Sequence, residues 1–198
     1  MPNAEQSQIL TTIFKRLYKH FGPQHWWPGD SDFEIIVGAI LTQNTNWGNV
    51  EKAIAELKKQ GCLQPAKMSA LKTRTLAGYI RSAGFFNLKA KRLKNFLQYL
   101  YEKYDGRIDR MKTQPVDEIR AELLGVNGIG PETADSIILY VLKKPIFVVD
   151  AYTKRFMVRH ALAEKDIVYH ALQEKFHQLP RDYPLYNEFH ALIVQLGK

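Results

Sequence analysis

Leu-Gly-Val-Asn-Gly-Ile-Gly-Pro-Glu-Thr-Ala, residues 124–134, is the stretch whose reading decides the fold. Gly128 and Gly130 flank Ile129 between an amphipathic segment that ends and another that begins. Glycine tolerates positive φ and lets a backbone come close to a ligand. Pro131 suits the first turn of a helix, where its missing N–H would have no partner anyway. The reading is two helices joined by a tight hairpin, with Ile129 turned inward to hold them together. The first-turn amides of the second helix form a ready anion site.

Outward from the hairpin, helical periodicity dominates. Ile9, Ile13, Leu17 and Phe21 mark an amphipathic helix over 9–21. Residues 32–42 are almost wholly apolar after an acidic start and predict a buried helix, followed by an amphipathic one over 49–59. Residues 67–81 hold one or two short helices ending at Gly84, and 87–104 form a long one with Leu88, Leu93, Phe96, Leu97 and Leu100 inward. Its other face carries Lys89, Lys91, Arg92 and Lys94, which read either as a track for phosphates or as solvated surface. Helices are expected from Pro115 to Leu124, from Pro131 to Leu142, and over 150–160, 169–178 and 185–196. The β-looking run Pro145–Val149 is short and reads as an extended connector. The class is all-α.

Composition narrows the function. The 198 residues carry 28 Lys and Arg against 20 Asp and Glu, a net charge of +8. That excess suits a polyanionic partner, and a DNA phosphate is the natural occupant of the hairpin. No apolar run is long enough to span a bilayer, and the N-terminus lacks a signal-peptide pattern. The single cysteine, Cys62, makes neither an internal disulfide nor a cysteine-based cluster. A reducing, cytoplasmic setting without membrane contact is expected. The six histidines show no zinc spacing, and His190 on the last helix is expected to be structural. Asp150 ends the apolar connector and opens a helix. An N-cap explains it alone; a carboxylate that stabilises a developing cation is the other reading.

Taken together, residues 123–159 resemble the helix-hairpin-helix (HhH-GPD) DNA glycosylases of the endonuclease III superfamily. In that pattern a G-h-G hairpin precedes, by some twenty residues, a catalytic Asp in a V-D-x-x-x-x-R context, here Val149-Asp150 to Arg155. Leu41-Thr-Gln43-Asn-Thr45 resembles the L-x-Q-x-T element, whose Gln enters the gap left by a flipped base. Gly84-Phe85-Phe86-Asn87 with Lys89-Ala90 resembles the second, DNA-wedging loop. Trp26-Trp27-Pro28, Trp47 and Glu132 make the chain similar to the endonuclease III-type 3-methyladenine DNA glycosylases.

The resemblance implies two helical lobes with a DNA-binding cleft between them. Residues 25–135 would form one lobe, ending in the hairpin, and 1–24 with 136–198 the other, carrying Asp150. It implies a monomer that binds double-stranded DNA and flips out a damaged base, a 3-alkylated purine. Trp27, Pro28, Trp47 and Glu132 would form the base pocket, and Gln43, Phe85, Phe86 and Asn87 the wedge. Gly128, Ile129, Gly130 and Thr133 would bind phosphate. Trp26 is expected to pack in the core. Bifunctional members carry a Lys where Glu132 stands, and a carboxylate cannot form a Schiff base. The expected enzyme is therefore monofunctional and lacks lyase activity.

No cofactor is required by this reading. A Na⁺ or K⁺ on the backbone of Val126, Gly128 and Ile129 is expected from the family. The four-cysteine iron–sulfur loop of many relatives would begin at Lys198 and is absent from this sequence. Two alternatives stand beside this reading. One is an endonuclease III-like glycosylase for oxidised pyrimidines or mismatches; the other is a non-catalytic DNA-binding module in which Asp150 only caps its helix.

Overall fold

Residues 4–198 are described by a computed structural model. Among them there are twelve α-helices and no strand. These are α1 (Ala4–Phe21), α2 (Asp32–Leu41), α3 (Trp47–Lys59), α4 (Pro65–Ala70), α5 (Thr73–Tyr79), α6 (Phe86–Tyr104), α7 (Ile108–Met111), α8 (Val116–Gly125), α9 (Pro131–Ser136), α10 (Ala151–Arg159), α11 (Tyr169–Phe176) and α12 (Tyr183–Gly197). None is long and apolar enough to cross a membrane. The connector before α10 has no regular secondary structure, and α7 is an addition to the helices expected from periodicity.

Two units form, Gly29–Ile137 and Met1–Pro28 with Ile138–Lys198. Helix α2 is central to the first. Ser31 caps it by accepting from the Glu34 N–H at 3.2 Å. Ile36, Val37, Ile40 and Leu41 are fully buried, each contributing roughly 1.5–3 kcal/mol by leaving water. Glu34, buried on the same helix, is neutralised by Lys58 of α3 at 2.7 Å. Helix α6 adds Leu93, Phe96, Leu97 and Leu100 to this core.

The second unit is built on aromatics. Phe147 stacks on Phe176 at 3.8 Å between ring centroids, and Phe189 of α12 meets both edge-on. In α1 the buried face centres on Leu10, fully covered, and Phe14, which meets Phe189 at 5.5 Å. Ile9, expected inward, is 38% exposed. A strict four-residue spacing drifts by about 40° per step around a helix of 3.6 residues per turn, so it cannot stay on one face. Trp26-Trp27-Pro28 falls in this second unit rather than at the start of the other. The Trp26 carbonyl accepts from Asn187 Nδ2 at 2.9 Å, and the Gln24 N–H donates to Glu188 at 2.7 Å. Trp26 itself is half-buried rather than a core residue, with the Lys198 ammonium 5.2 Å from its ring centre.

Candidate functional site

The hairpin between α8 and α9 lies in the first unit. Ile129 is buried beneath it, and its N–H donates to the Val126 carbonyl at 3.0 Å. The two helices are clamped by Arg120, whose Nε and Nη2 donate to the fully buried Asp135 carboxylate at 2.7 and 3.2 Å. A bidentate guanidinium–carboxylate pair fixes angle as well as distance. Gly128 has φ +94°, and a Cβ there would run into the Arg92 side chain. The turn therefore needs glycine twice over. Pro131 opens α9, so the N–H groups of this first turn have no intrahelical acceptor.

Gln43, just beyond α2, is drawn into this hairpin. Its Nε2 donates to the Gly128 carbonyl at 3.0 Å and to Thr133 Oγ1 at 2.9 Å. Its Oε1 accepts from Arg92 Nη1. The Thr133 hydroxyl is thus buried against Gln43. The carbonyls of Val126 and Gly128 each accept one hydrogen bond and keep a second lone pair, so these residues fit a monovalent cation.

Phe85 precedes α6 in a left-handed conformation and is 67% exposed. Phe86 is half-buried, with the Arg81 guanidinium 5.4 Å from its ring centre, and Asn87 is exposed. Of the two aromatics, Phe85 is the one presented to solvent.

The four basic residues of α6 do not form one phosphate-facing set. Lys89 is fully buried and donates to the carbonyls of Leu41 and Ala83 at 2.8 and 2.7 Å. Burial pushes its pKa down, and the charge of Arg92 adds to that. Lys94 caps α4 through the carbonyls of Met68 and Ser69, at 3.0 and 2.7 Å, and of Leu71. Arg92 holds Gln43, and Lys91 alone is exposed.

Trp47 opens α3, is half-buried, and donates from Nε1 to Glu51 at 2.8 Å. Glu132 is exposed in the first turn of α9.

In the second unit Asp150 caps α10, its Oδ1 accepting from the Thr153 N–H at 2.7 Å. Its other oxygen, Oδ2, lies 3.7 Å from His190 Nε2. The imidazole is held from behind, Nδ1 being hydrogen-bonded to the Tyr140 hydroxyl. The Tyr140 ring in turn meets Trp27 at 5.2 Å, and Pro28 beside it is exposed. Burial pushes the Asp150 carboxyl up. The nearby His190 imidazole and the Thr153 N–H outweigh it and hold the group below the ordinary carboxylate range. Arg155, the last residue of the V-D-x-x-x-x-R pattern, donates to the Gly197 carbonyl at 2.9 Å and ties α10 to the end of α12.

His190 is thus a member of this cluster, not a residue of the scaffold alone, and Tyr140 joins it unheralded. A titratable ring inside the apolar run Phe189–Val194 was the available signal, since a buried polar group must find a partner. Among the described residues no group of three or more His, Cys, Asp or Glu could hold a metal ion.

Residues 37–181 match the model of the HhH-GPD superfamily base excision DNA repair proteins. The chain belongs to that superfamily; it is a base excision repair DNA glycosylase. A protein of Methanocaldococcus jannaschii, provisionally named a DNA repair glycosylase, is 46% identical over 190 residues, 95% of this chain and 86% of its own length. Endonuclease III of Thermotoga maritima is 27% identical over 151 residues, 76% of this chain and 66% of that enzyme. The crystal structure of the H. pylori 3-methyladenine DNA glycosylase bound to 1,N6-ethenoadenine superposes with a TM-score of 0.81. It is 28% identical, and the match covers 96% of each chain.

Proposed function

We propose that this glycosylase is monofunctional, binds double-stranded DNA as a monomer, and removes 3-alkylated purines by hydrolysis. The observation that carries the reading is the Asp150 carboxylate, held ionised beside His190 at a helix N-terminus. The 28% identity to a 3-methyladenine glycosylase over 96% of the chain supports the substrate class.

A 3-alkylated purine carries delocalised positive charge, so it needs little acid assistance to leave. The base must first come out of the stack. Phe85 and Gln43, with Phe86 and Asn87, disturb the duplex while the backbone of the hairpin at Gly128–Gly130 and of Thr133 holds a phosphate. Trp27, Pro28, Trp47 and Glu132 receive the base, and an electron-rich aromatic face favours a cation over its neutral counterpart. As the N-glycosidic bond breaks, the electron pair leaves with the base and neutralises it. Positive charge develops on the sugar, where Asp150 stabilises it. Water adds at C1′ and gives up a proton. Glu132 supplies no amine for a Schiff base, so the abasic strand stays intact. A monovalent cation on the carbonyls of Val126, Gly128 and Ile129 would add positive charge beside the bound phosphate.

The test is release of free base from methylated duplex DNA, resolving 3-methyladenine from 7-methylguanine, with and without later alkali. Free 3-methyladenine with strand breaks only after alkali is expected. Breaks without alkali overturn the monofunctional reading. Salt-sensitive binding with no base released overturns the substrate class.

A further inference from the structure

Lys89 is buried in the first unit, about 1% exposed, yet its ammonium is not hydrogen-bonded to a carboxylate. Its ammonium instead bridges two backbone carbonyls, at 2.8 Å to Leu41 and 2.7 Å to Ala83. Both are helix ends. Leu41 is the last residue of α2, and Ala83 closes the short 3₁₀ turn Arg81–Ala83. Terminal carbonyls lack intrahelical partners and carry the negative end of the helix dipole, so a cation is well placed between them.

A buried ammonium is expensive, and a methionine of similar length would fill the same space without that cost. What a hydrocarbon cannot do is pin two carbonyls to one point. Each pinned carbonyl lies two residues before a side chain of the duplex-opening set, Leu41 before Gln43 and Ala83 before Phe85. From Leu41 the helical backbone continues through Thr42 to Gln43, whereas from Ala83 the chain leaves its turn at once. Gly84 and Phe85 both have positive φ, and the segment after Gln43 turns through Asn44, also at positive φ. The Gln43 tip is also held by Gly128, Thr133 and Arg92, whereas the exposed Phe85 tip is set by where its base is held.

We propose that Lys89 is a positioning residue for base flipping, tying the base of the Gln43 segment to the base of the Phe85 segment so that both enter the duplex in fixed register. This rests on the assignment of Gln43 and Phe85 to duplex opening made above. Lys89 touches no substrate; it acts through the two segments it joins.

The experiment compares kcat/KM for 3-methyladenine in two settings, stacked in a continuous duplex and already unstacked in a loop of the same duplex. Lys89→Met should lose tenfold or more on the stacked lesion and stay within about twofold on the unstacked one. A purely structural lysine would lower both alike, and equal losses, or none on the stacked lesion, overturn the proposal. Should Lys89→Met fail to fold, Lys89→Gln, which keeps two N–H donors without the charge, is read in the same way. Gln43→Ala and Phe85→Ala are measured alongside. If they too lose activity selectively on the stacked lesion while the Lys89 variant does not, the tie is wrong and the wedge stands. If neither shows the selective loss, it is the wedge assignment that fails.

Discussion

His190 Nε2 lies 3.7 Å from Asp150 Oδ2, with the other imidazole nitrogen hydrogen-bonded to the hydroxyl of Tyr140. Both side chains are largely withdrawn from water, 4% and 15% exposed. A carboxylate in such a place would ordinarily be pushed toward its neutral form. The imidazole and the Thr153 N–H reverse that, and Asp150 titrates below the usual range.

The pH dependence follows with a definite sign. The groups facing Asp150 are His190 and the Thr153 amide; those facing His190 are Asp150, Tyr140 and the Phe147 ring. His190→Phe leaves burial opposed by Thr153 alone, so the carboxyl rises. The acid limb of the single-turnover rate should therefore move to higher pH, and on that limb the variant should lose rate that the parent keeps. An unmoved limb contradicts the role given to His190. Stability obeys the same logic. The folded pKa is below the unfolded value of about 3.9, so the contribution is present above that pH and is lost as pH falls through the folded pKa. Acid unfolding of Asp150→Asn, followed by circular dichroism, should lack this component.

Gly128 and Gly130 should differ sharply. Gly128→Ala must adopt φ +94° and displace Arg92, which holds Gln43. A loss of about 1–3 kcal/mol in chemical denaturation is expected, together with weaker DNA binding. Gly130 has φ −93° and nothing near the position of a Cβ. Gly130→Ala should be close to neutral in stability.

Glu132→Lys places an amine in the first turn of α9, where the resemblance to bifunctional relatives puts the lyase nucleophile. Borohydride should trap a covalent adduct of the variant with abasic DNA and none of the parent. Trapping of the parent would remove the mechanistic meaning given to Glu132.

Trp27→Ala should lower discrimination for the cationic base over a neutral one by about 1–2 kcal/mol, or roughly fivefold to thirtyfold in relative kcat/KM. Equal losses on both bases would mark Trp27 as packing only.

The legible parts of this protein are those whose backbone geometry has a residue signature. Gly128, Gly130 and Pro131 announced the turn, and Asp150 after two valines announced a capped helix. The Tyr140–His190–Asp150 cluster was not legible, because its members meet through tertiary packing and two of them sit inside apolar helical runs. Lys89 was misread for a different reason. Counting lysines on α6 suggested a solvated face, yet Lys89, Leu93, Phe96 and Leu100 follow one another at helical spacing on the buried stripe. The position on the stripe, not the residue type, carried the information. Likewise Pro131–Leu142 reads as one helix, whereas α9 passes into a π-helical turn at Ile137–Val141 that periodicity does not resolve.

The central claim is that Asp150 catalyses rather than merely caps, and Asp150→Asn separates the two. Asparagine caps a helix about as well as aspartate, so folding should be retained. The measurement is the single-turnover rate of 3-methyladenine release, with affinity for the abasic duplex measured beside it. Binding should stay within about threefold while the rate falls by about 10²-fold or more, as for loss of a group that stabilises transition-state charge. A variant that binds and releases base at the parental rate would contradict the account.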